Sequence, residues 1–133
     1  MIIGSGNIGS KHLLSLKKID RPIRISVVDN STKSINYSKK IFYNLKKKNN
    51  LIINFYNSIK LIERHVDIAI VATNSDVRKK VIKKLIEFVR VKYLIIEKVA
   101  FQSINDFNYI LKLLFKKKIK VWVNCPRRMD DNF

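Results

Sequence analysis

Three glycines, Gly4, Gly6 and Gly9, fall in one hexapeptide with the spacing G-x-G-x-x-G, and the 133-residue chain contains no other. In so glycine-poor a background, that spacing prescribes a backbone. The first glycine permits a tight turn out of a strand, the second lets another group approach the main chain, and the third lets a helix pack closely on a sheet. The start of that helix presents amides without intrahelical acceptors, which is a seat for phosphate. The pattern predicts a dinucleotide-binding turn, provided that a strand precedes it, a helix follows it and an acid lies about 20 residues further on.

The flanking sequence meets these conditions, one of them incompletely. Met1, Ile2 and Ile3 precede Gly4, which is short beside a usual strand of roughly five to six residues. Either the first strand is clipped or translation begins a few residues upstream. After the turn, Ile8, Leu13, Leu16 and Ile19 recur at roughly helical spacing, with Lys11, Lys17 and Lys18 on other faces. Residues 23–28 then read as a strand ending at Asp29, twenty residues after Gly9, where a carboxylate can accept hydrogen bonds from ribose hydroxyls.

The rest of the chain alternates helix and strand. A weakly patterned helix is expected over 33–48, carrying Ile35, Ile41, Phe42 and Leu45, then a strand over 51–56 and a short helix over 58–64. Residues 67–72 form a nearly continuous apolar run, as a central parallel strand covered on both faces requires. An amphipathic helix over 75–90 turns Val77, Val81, Leu85, Phe88 and Val89 inward and Arg78, Lys79, Lys83, Lys84 and Glu87 outward. A strand at 93–96, a helix over 103–117 with Phe107, Ile110, Leu111 and Leu114 on one face, and a sixth strand at 119–123 complete the order. Regular βα alternation predicts an α/β fold of Rossmann type: one doubly wound, mainly parallel six-stranded sheet over 1–124. Pro22 and Pro126 fall outside the strands, where they interrupt neither neighbour.

Composition narrows the function classes. A hydrophobic fraction of 47% over this length fits one soluble domain with a real core. No stretch approaches the roughly 20 apolar residues needed to span a bilayer, and no apolar signal segment opens the chain, so a cytoplasmic protein without membrane contact is expected. The lone Cys125 excludes an internal disulfide, and two distant histidines with one cysteine offer no metal-ligand cluster. The formal charge of +18 favours anionic partners in general. Its distribution argues otherwise, because the lysine clusters at 46–48, 79–80, 83–84 and 116–118 recur on successive helices rather than along one stripe. Lys, Ile and Asn make up 55 of the 133 residues, a bias that A- and T-rich coding DNA would impose. Nucleic acid is therefore not the expected partner.

Ligands of a doubly wound sheet bind outside the carboxyl ends of its strands. That rule selects the turn at 4–9, Asp29, Thr73-Asn74-Ser75, Glu97-Lys98 and Asn124. Thr73, Asn74 and Ser75 serve equally as helix caps or as cofactor contacts, and the two roles are compatible.

These segments, taken in order, carry a resemblance. Ile3 to His12 (IGSGNIGSKH), Asp29, Asp67 to Ser75 (DIAIVATNS) and Ile96-Glu97-Lys98 are similar to the N-terminal half of the glucose-fructose oxidoreductase, inositol dehydrogenase and rhizopine-catabolism oxidoreductase family, Gfo/Idh/MocA. The resemblance covers nearly the whole chain and draws its specificity from the order of the motifs. It implies an NAD(P)-dependent oxidoreductase acting on a sugar, nucleotide sugar or polyol, with a second α/β domain beyond the Rossmann domain and residues 125–133 beginning the connection to it. By position, Gly4, Gly6, Asn7, Ile8 and Gly9 would hold the pyrophosphate and Asp29 the adenosine ribose, while Ala72, Thr73, Asn74, Glu97 and Asn124 would line the cofactor. Lys98 would stand beside the nicotinamide as the catalytic lysine of a Glu-Lys-Pro motif. Arg127 and Arg128 would meet the substrate or form a solvated basic tail. The acid at position 29 points to NAD rather than NADP, with Lys33 close enough to leave NADP open.

Several positions depart from the family pattern. Val99 replaces the proline of Glu-Lys-Pro, Asn74 replaces another proline, and Arg78 stands where a histidine is common. The Asp and His of the family's catalytic motif belong to the second domain, which lies outside these 133 residues; its docking face would leave an apolar patch and make a homo-oligomer possible. His12 fits a structural histidine of the first helix, and His65 a surface loop. Two further readings stand beside the oxidoreductase: a nucleotide-binding module without catalysis, and a nucleic-acid-binding domain with a basic surface.

Overall fold

The computed structural model describes residues 1–44 and 51–125. Leu45, the end of the expected second helix, the lysines at 46–48 and Arg127 and Arg128 lie outside the described residues. The elements run β1 (Ile2–Ile3), α1 (Asn7–Leu16), β2 (Ile23–Val28), α2 (Thr32–Tyr43), β3 (Leu51–Tyr56), a 3-10 turn (Ile59–Leu61), β4 (His65–Val71), α3 (Ser75–Phe88), β5 (Arg90–Glu97), α4 (Ile104–Lys116) and β6 (Lys120–Asn124). The six strands form one sheet in the order β3-β2-β1-β4-β5-β6, with every neighbouring pair parallel. The order reverses between β1 and β4, and a crevice opens at such a switch point.

Alternation along the strands builds two cores, one on each face. Ile2, Val27 and Ile70 point to the side where Leu13 and Phe42 of α1 and α2 pack. Their neighbours Ile3, Val28, Ala69 and Val71 point to the side of α3 and α4, against Ile82, Leu85, Ile110 and Leu114. The side-chain period of two in a strand makes one element serve both layers. Ser31 and Ser103 cap α2 and α4, each accepting a hydrogen bond from a backbone amide three residues on.

Expectations for four elements are corrected by packing. In α3 the buried stripe is Arg78, Ile82, Leu85 and Ile86, with Val89 following, whereas Val77 and Phe88 are exposed. Spacing alone allows this stripe; polarity had turned Arg78 outward. In β4 only Ala69, Ile70 and Val71 are buried, and Ile68 is 48% exposed. On β4 the two residues of β1 pair with Ile70 and Val71, and Met1 reaches back only to the Ile68 carbonyl, so residues 65–67 have a strand neighbour on the β5 side alone. Helix α1 ends at Leu16; it buries Gly9, Ser10 and Leu13, while Ile8 and Ile19 are exposed. Lys17, placed on a polar face by the pattern, is buried, with its Nζ 4.5 Å from the Phe42 ring centroid and donating to the Phe42 carbonyl at 2.8 Å. Its long aliphatic stem makes such burial possible. On α4, Ile110 and Leu114 enter the core as expected, but Phe107 and Leu111 stay exposed.

Candidate functional site

The three glycines meet three different constraints. Gly4 has φ +91°, and a Cβ there would lie 2.9 Å from both the Ala72 carbonyl carbon and the Thr73 amide nitrogen. The chain therefore turns left-handed at Gly4 while passing against the β4 exit, which no larger residue could do. Gly9 packs α1 so tightly on the turn that a Cβ would stand 1.8 Å from the Gly4 carbonyl oxygen. Gly6 has the opposite surroundings: nothing lies within 4 Å of where its Cβ would be, and it caps α1 without a side-chain hydrogen bond. Asn7 and Ile8, in the first turn of α1, are exposed, and no acidic residue occupies that turn. Helix geometry leaves the first amides of α1 without intrahelical acceptors.

Asp29, at the exit of β2, braces this turn. Its Oδ2 accepts from the Ser5 amide at 2.7 Å and the Ser5 hydroxyl at 3.2 Å, and its Oδ1 accepts from the Ser31 amide at 2.8 Å. A carboxylate has about four acceptor positions, so one remains on Oδ1. Ser10 closes the arrangement by donating to the Ser5 carbonyl at 3.0 Å. Beside it a cleft of about 350 Å³ runs between the turn and α3, lined by Gly4, Asp29, Asn30, Thr73, Val77 and Lys80 among others. A larger cleft, about 530 Å³, lies by the amino ends of β4 and β5 among Arg64, His65, Arg90 and Lys117, away from every residue selected above.

A second group gathers at the exits of β5 and β6. Glu97, 9% exposed, presents Oε1 to His12 Nε2 at 2.6 Å and accepts there from Asn124 Nδ2, also at 2.6 Å. Three elements distant in sequence, α1, β5 and β6, thus meet on one carboxylate. His12, expected from the sequence to be structural, is thus placed against the Glu97 carboxylate. Lys98 follows Glu97 with its side chain exposed, and the Lys98–Val99 peptide is cis. Ala72 and Thr73 are half-buried and Asn74 is exposed at the start of α3. Asn74 makes no side-chain cap hydrogen bond, so of the two roles open to it capping is not the one adopted. The Thr73 Oγ1 is buried without a hydrogen-bond partner.

Arg78 is the residue that polarity concealed. Its guanidinium donates to the Thr73 and Val99 carbonyls in short contacts, to the Glu97 carbonyl at 2.6 Å and to the Ala100 carbonyl at 3.0 Å. Burial lowers its affinity for the proton, and the negative charges of Glu97 and Asp76 oppose that shift. The available sequence signal was position 78 itself, on the same helical stripe as Ile82 and Leu85 and at a point where the resemblance expects histidine.

The carboxyl edge of the sheet therefore brings together the turn at 4–9, Asp29, Ala72 to Asn74, Glu97, Lys98 and Asn124, and leaves His65 exposed at the other end of β4. Among the described residues no group of three or more His, Cys, Asp or Glu could hold a metal ion, and no helix is long and apolar enough to cross a membrane.

Known proteins share this architecture. The NAD-binding protein from Listeria innocua superposes with a TM-score of 0.74 at 22% identity, over 98% of this chain and 36% of that one. Myo-inositol 2-dehydrogenase from Lactobacillus plantarum gives 0.73 at 15% identity, over 98% and 37% of the two chains. An oxidoreductase from Agrobacterium radiobacter, determined in complex with NAD+, L-tartaric acid and magnesium, gives 0.73 at 15% identity, over 92% and 34%. The chain spans little more than a third of the length of these proteins. Among curated proteins, none matches the sequence. The model of an oxidoreductase family with an NAD-binding Rossmann fold matches residues 1–125. With that match over nearly its whole length, the chain belongs to the Gfo/Idh/MocA oxidoreductase family and carries its NAD-binding Rossmann fold.

Proposed function

We propose that the chain binds NAD in the crevice at the β1–β4 switch point. It would form the cofactor half of a cytoplasmic oxidoreductase that moves hydride between nicotinamide and a carbon of a sugar, nucleotide sugar or polyol. The observation that carries this reading is the contrast within the glycine turn: Gly4 and Gly9 are closed in by main chain, whereas Gly6 faces open space at the start of α1, where a helix's first amides have no intrahelical acceptor. A pyrophosphate fits there, drawn by those amides and by the positive end of the helix. The remaining acceptor position of Asp29 suits a ribose hydroxyl, and its charge opposes the 2′-phosphate of NADP. The orphaned Thr73 hydroxyl supplies a polar contact on the nicotinamide side.

The cofactor supplies the hydride chemistry when bound. Lys98 supplies orientation: an exposed ammonium next to the buried Glu97 can hydrogen-bond the reacting oxygen of the substrate and assist transfer of its proton. Arg127 and Arg128, which follow β6, are proposed substrate contacts. A second domain, as in the longer neighbours, would complete the substrate pocket. Titration with NADH and with NADPH, followed by nicotinamide fluorescence, tests the reading beside a Gly6→Glu control. Binding of NADH that is lost in the control supports it; a folded wild type that binds neither dinucleotide overturns it.

A further inference from the structure

Arg78 lies at the head of an apolar helical stripe, 2% exposed, in front of Ile82, Leu85 and Ile86. A buried charge in such a place is costly, and a well-packed apolar side chain of similar volume is often the more stable choice. The arginine is placed to connect. Three of its acceptors, the carbonyls of Glu97, Val99 and Ala100, bracket Lys98, and the fourth, that of Thr73, belongs to the β4–α3 turn. A guanidinium is planar, permanently charged and rich in donors, so a single side chain can fix two turns at once. Bonds from a charged donor are also stronger than neutral ones. The main chain around Lys98 is thereby held while its ammonium stays exposed.

We infer that Arg78 is a positioning residue, which locks the β4–α3 and β5–α4 turns together and so sets where Thr73 and Lys98 stand against the nicotinamide half of the cofactor. This rests on the function proposed above. The adenosine half would depend on other groups, the turn at 4–9 and Asp29, none of which Arg78 touches in the bonds described. Its loss would therefore divide the two halves of the ligand.

The test compares NADH with ADP-ribose, which has the same adenosine and pyrophosphate and no nicotinamide, on the full chain and on Arg78→Lys. Lysine keeps the charge and loses the fork. The expected result is ADP-ribose affinity within about twofold of wild type, with NADH weakened by at least about tenfold, enough to remove one or two well-placed contacts. Parallel loss of both ligands, or loss of neither, overturns the inference and leaves the cofactor reading intact. Wild type that binds neither ligand overturns both. Should Arg78→Lys fail to fold, the isotope-labelled guanidinium of wild-type Arg78 provides a second readout by NMR. Its resonances should move on addition of NADH and stay in place with ADP-ribose; identical responses to the two ligands overturn the inference.

Discussion

Gly9→Ala and Gly6→Ala exchange the same hydrogen for the same methyl three residues apart, and the structure assigns them opposite consequences. At Gly9 the new carbon would stand 1.8 Å from the Gly4 carbonyl oxygen and 2.8 Å from its carbon. Side-chain carbons do not approach within 3.0 Å of another heavy atom, so α1 and the turn must separate by at least about 1.2 Å. Both partners are main chain, and no rotamer change can relieve the clash. Overpacking of a core typically costs about 1–3 kcal/mol. Separation also strains the Ser10 to Ser5 and Ser5 to Asp29 hydrogen bonds, at about 1 kcal/mol each. The expected loss is about 3–5 kcal/mol, a large part of the roughly 5–15 kcal/mol that holds a domain together. At Gly6 the methyl enters open space at φ −66°, and the helix loses only the mild preference for glycine over alanine at an N-cap, less than about 1 kcal/mol. Urea unfolding followed by far-UV circular dichroism would show a clear shift of midpoint for Gly9→Ala and almost none for Gly6→Ala. NADH titration should rank the folded proteins differently, with Gly6→Ala weakened because its methyl stands where the pyrophosphate is proposed to lie. Equal midpoints for the two variants would refute the assignment of packing to Gly9 and ligand approach to Gly6.

Asp29→Ala removes both acceptor oxygens from three donors, so a loss of about 1–3 kcal/mol is expected in urea unfolding, together with a narrower preference for NADH over NADPH in fluorescence titration. Leu94→Ala hollows the fully buried centre of β5 and should cost about 2–5 kcal/mol by the same unfolding assay, with no selective effect on either half of the cofactor. Phe115 is 85% exposed on α4, so Phe115→Lys should change stability by no more than about 0.5 kcal/mol. If the apolar surface shared by Phe115 and Leu111, one turn apart on α4, drives self-association, sedimentation velocity will show the variant shifted toward monomer.

The sequence by itself determined the order of elements and the ends at which chemistry gathers. Glycine spacing, a two-residue period in the strands and polar residues at strand exits are local properties, and each survives whatever the rest of the chain does. That is why the turn at 4–9, Asp29, Thr73, Glu97, Lys98 and Asn124 could be selected from the residue string and were then found along one edge of the sheet. Tertiary structure decided what depends on who lies opposite. Helical spacing admits both a stripe through Val77 and Val81 and a stripe through Arg78 and Ile82; the four carbonyls that receive the guanidinium come from segments 5 to 22 residues away, so nothing in α3 announces them. The exposure of Ile68 follows from the shortness of β1, and the burial of Lys17 from the Phe42 ring and carbonyl of another helix. The meeting of His12, Glu97 and Asn124 spans 112 residues of chain and exists only because the order 3-2-1-4-5-6 brings those ends together. Polarity predicts which side chains water would solvate, but a buried charge is admitted wherever distant backbone replaces that water, and only the folded chain supplies the replacement.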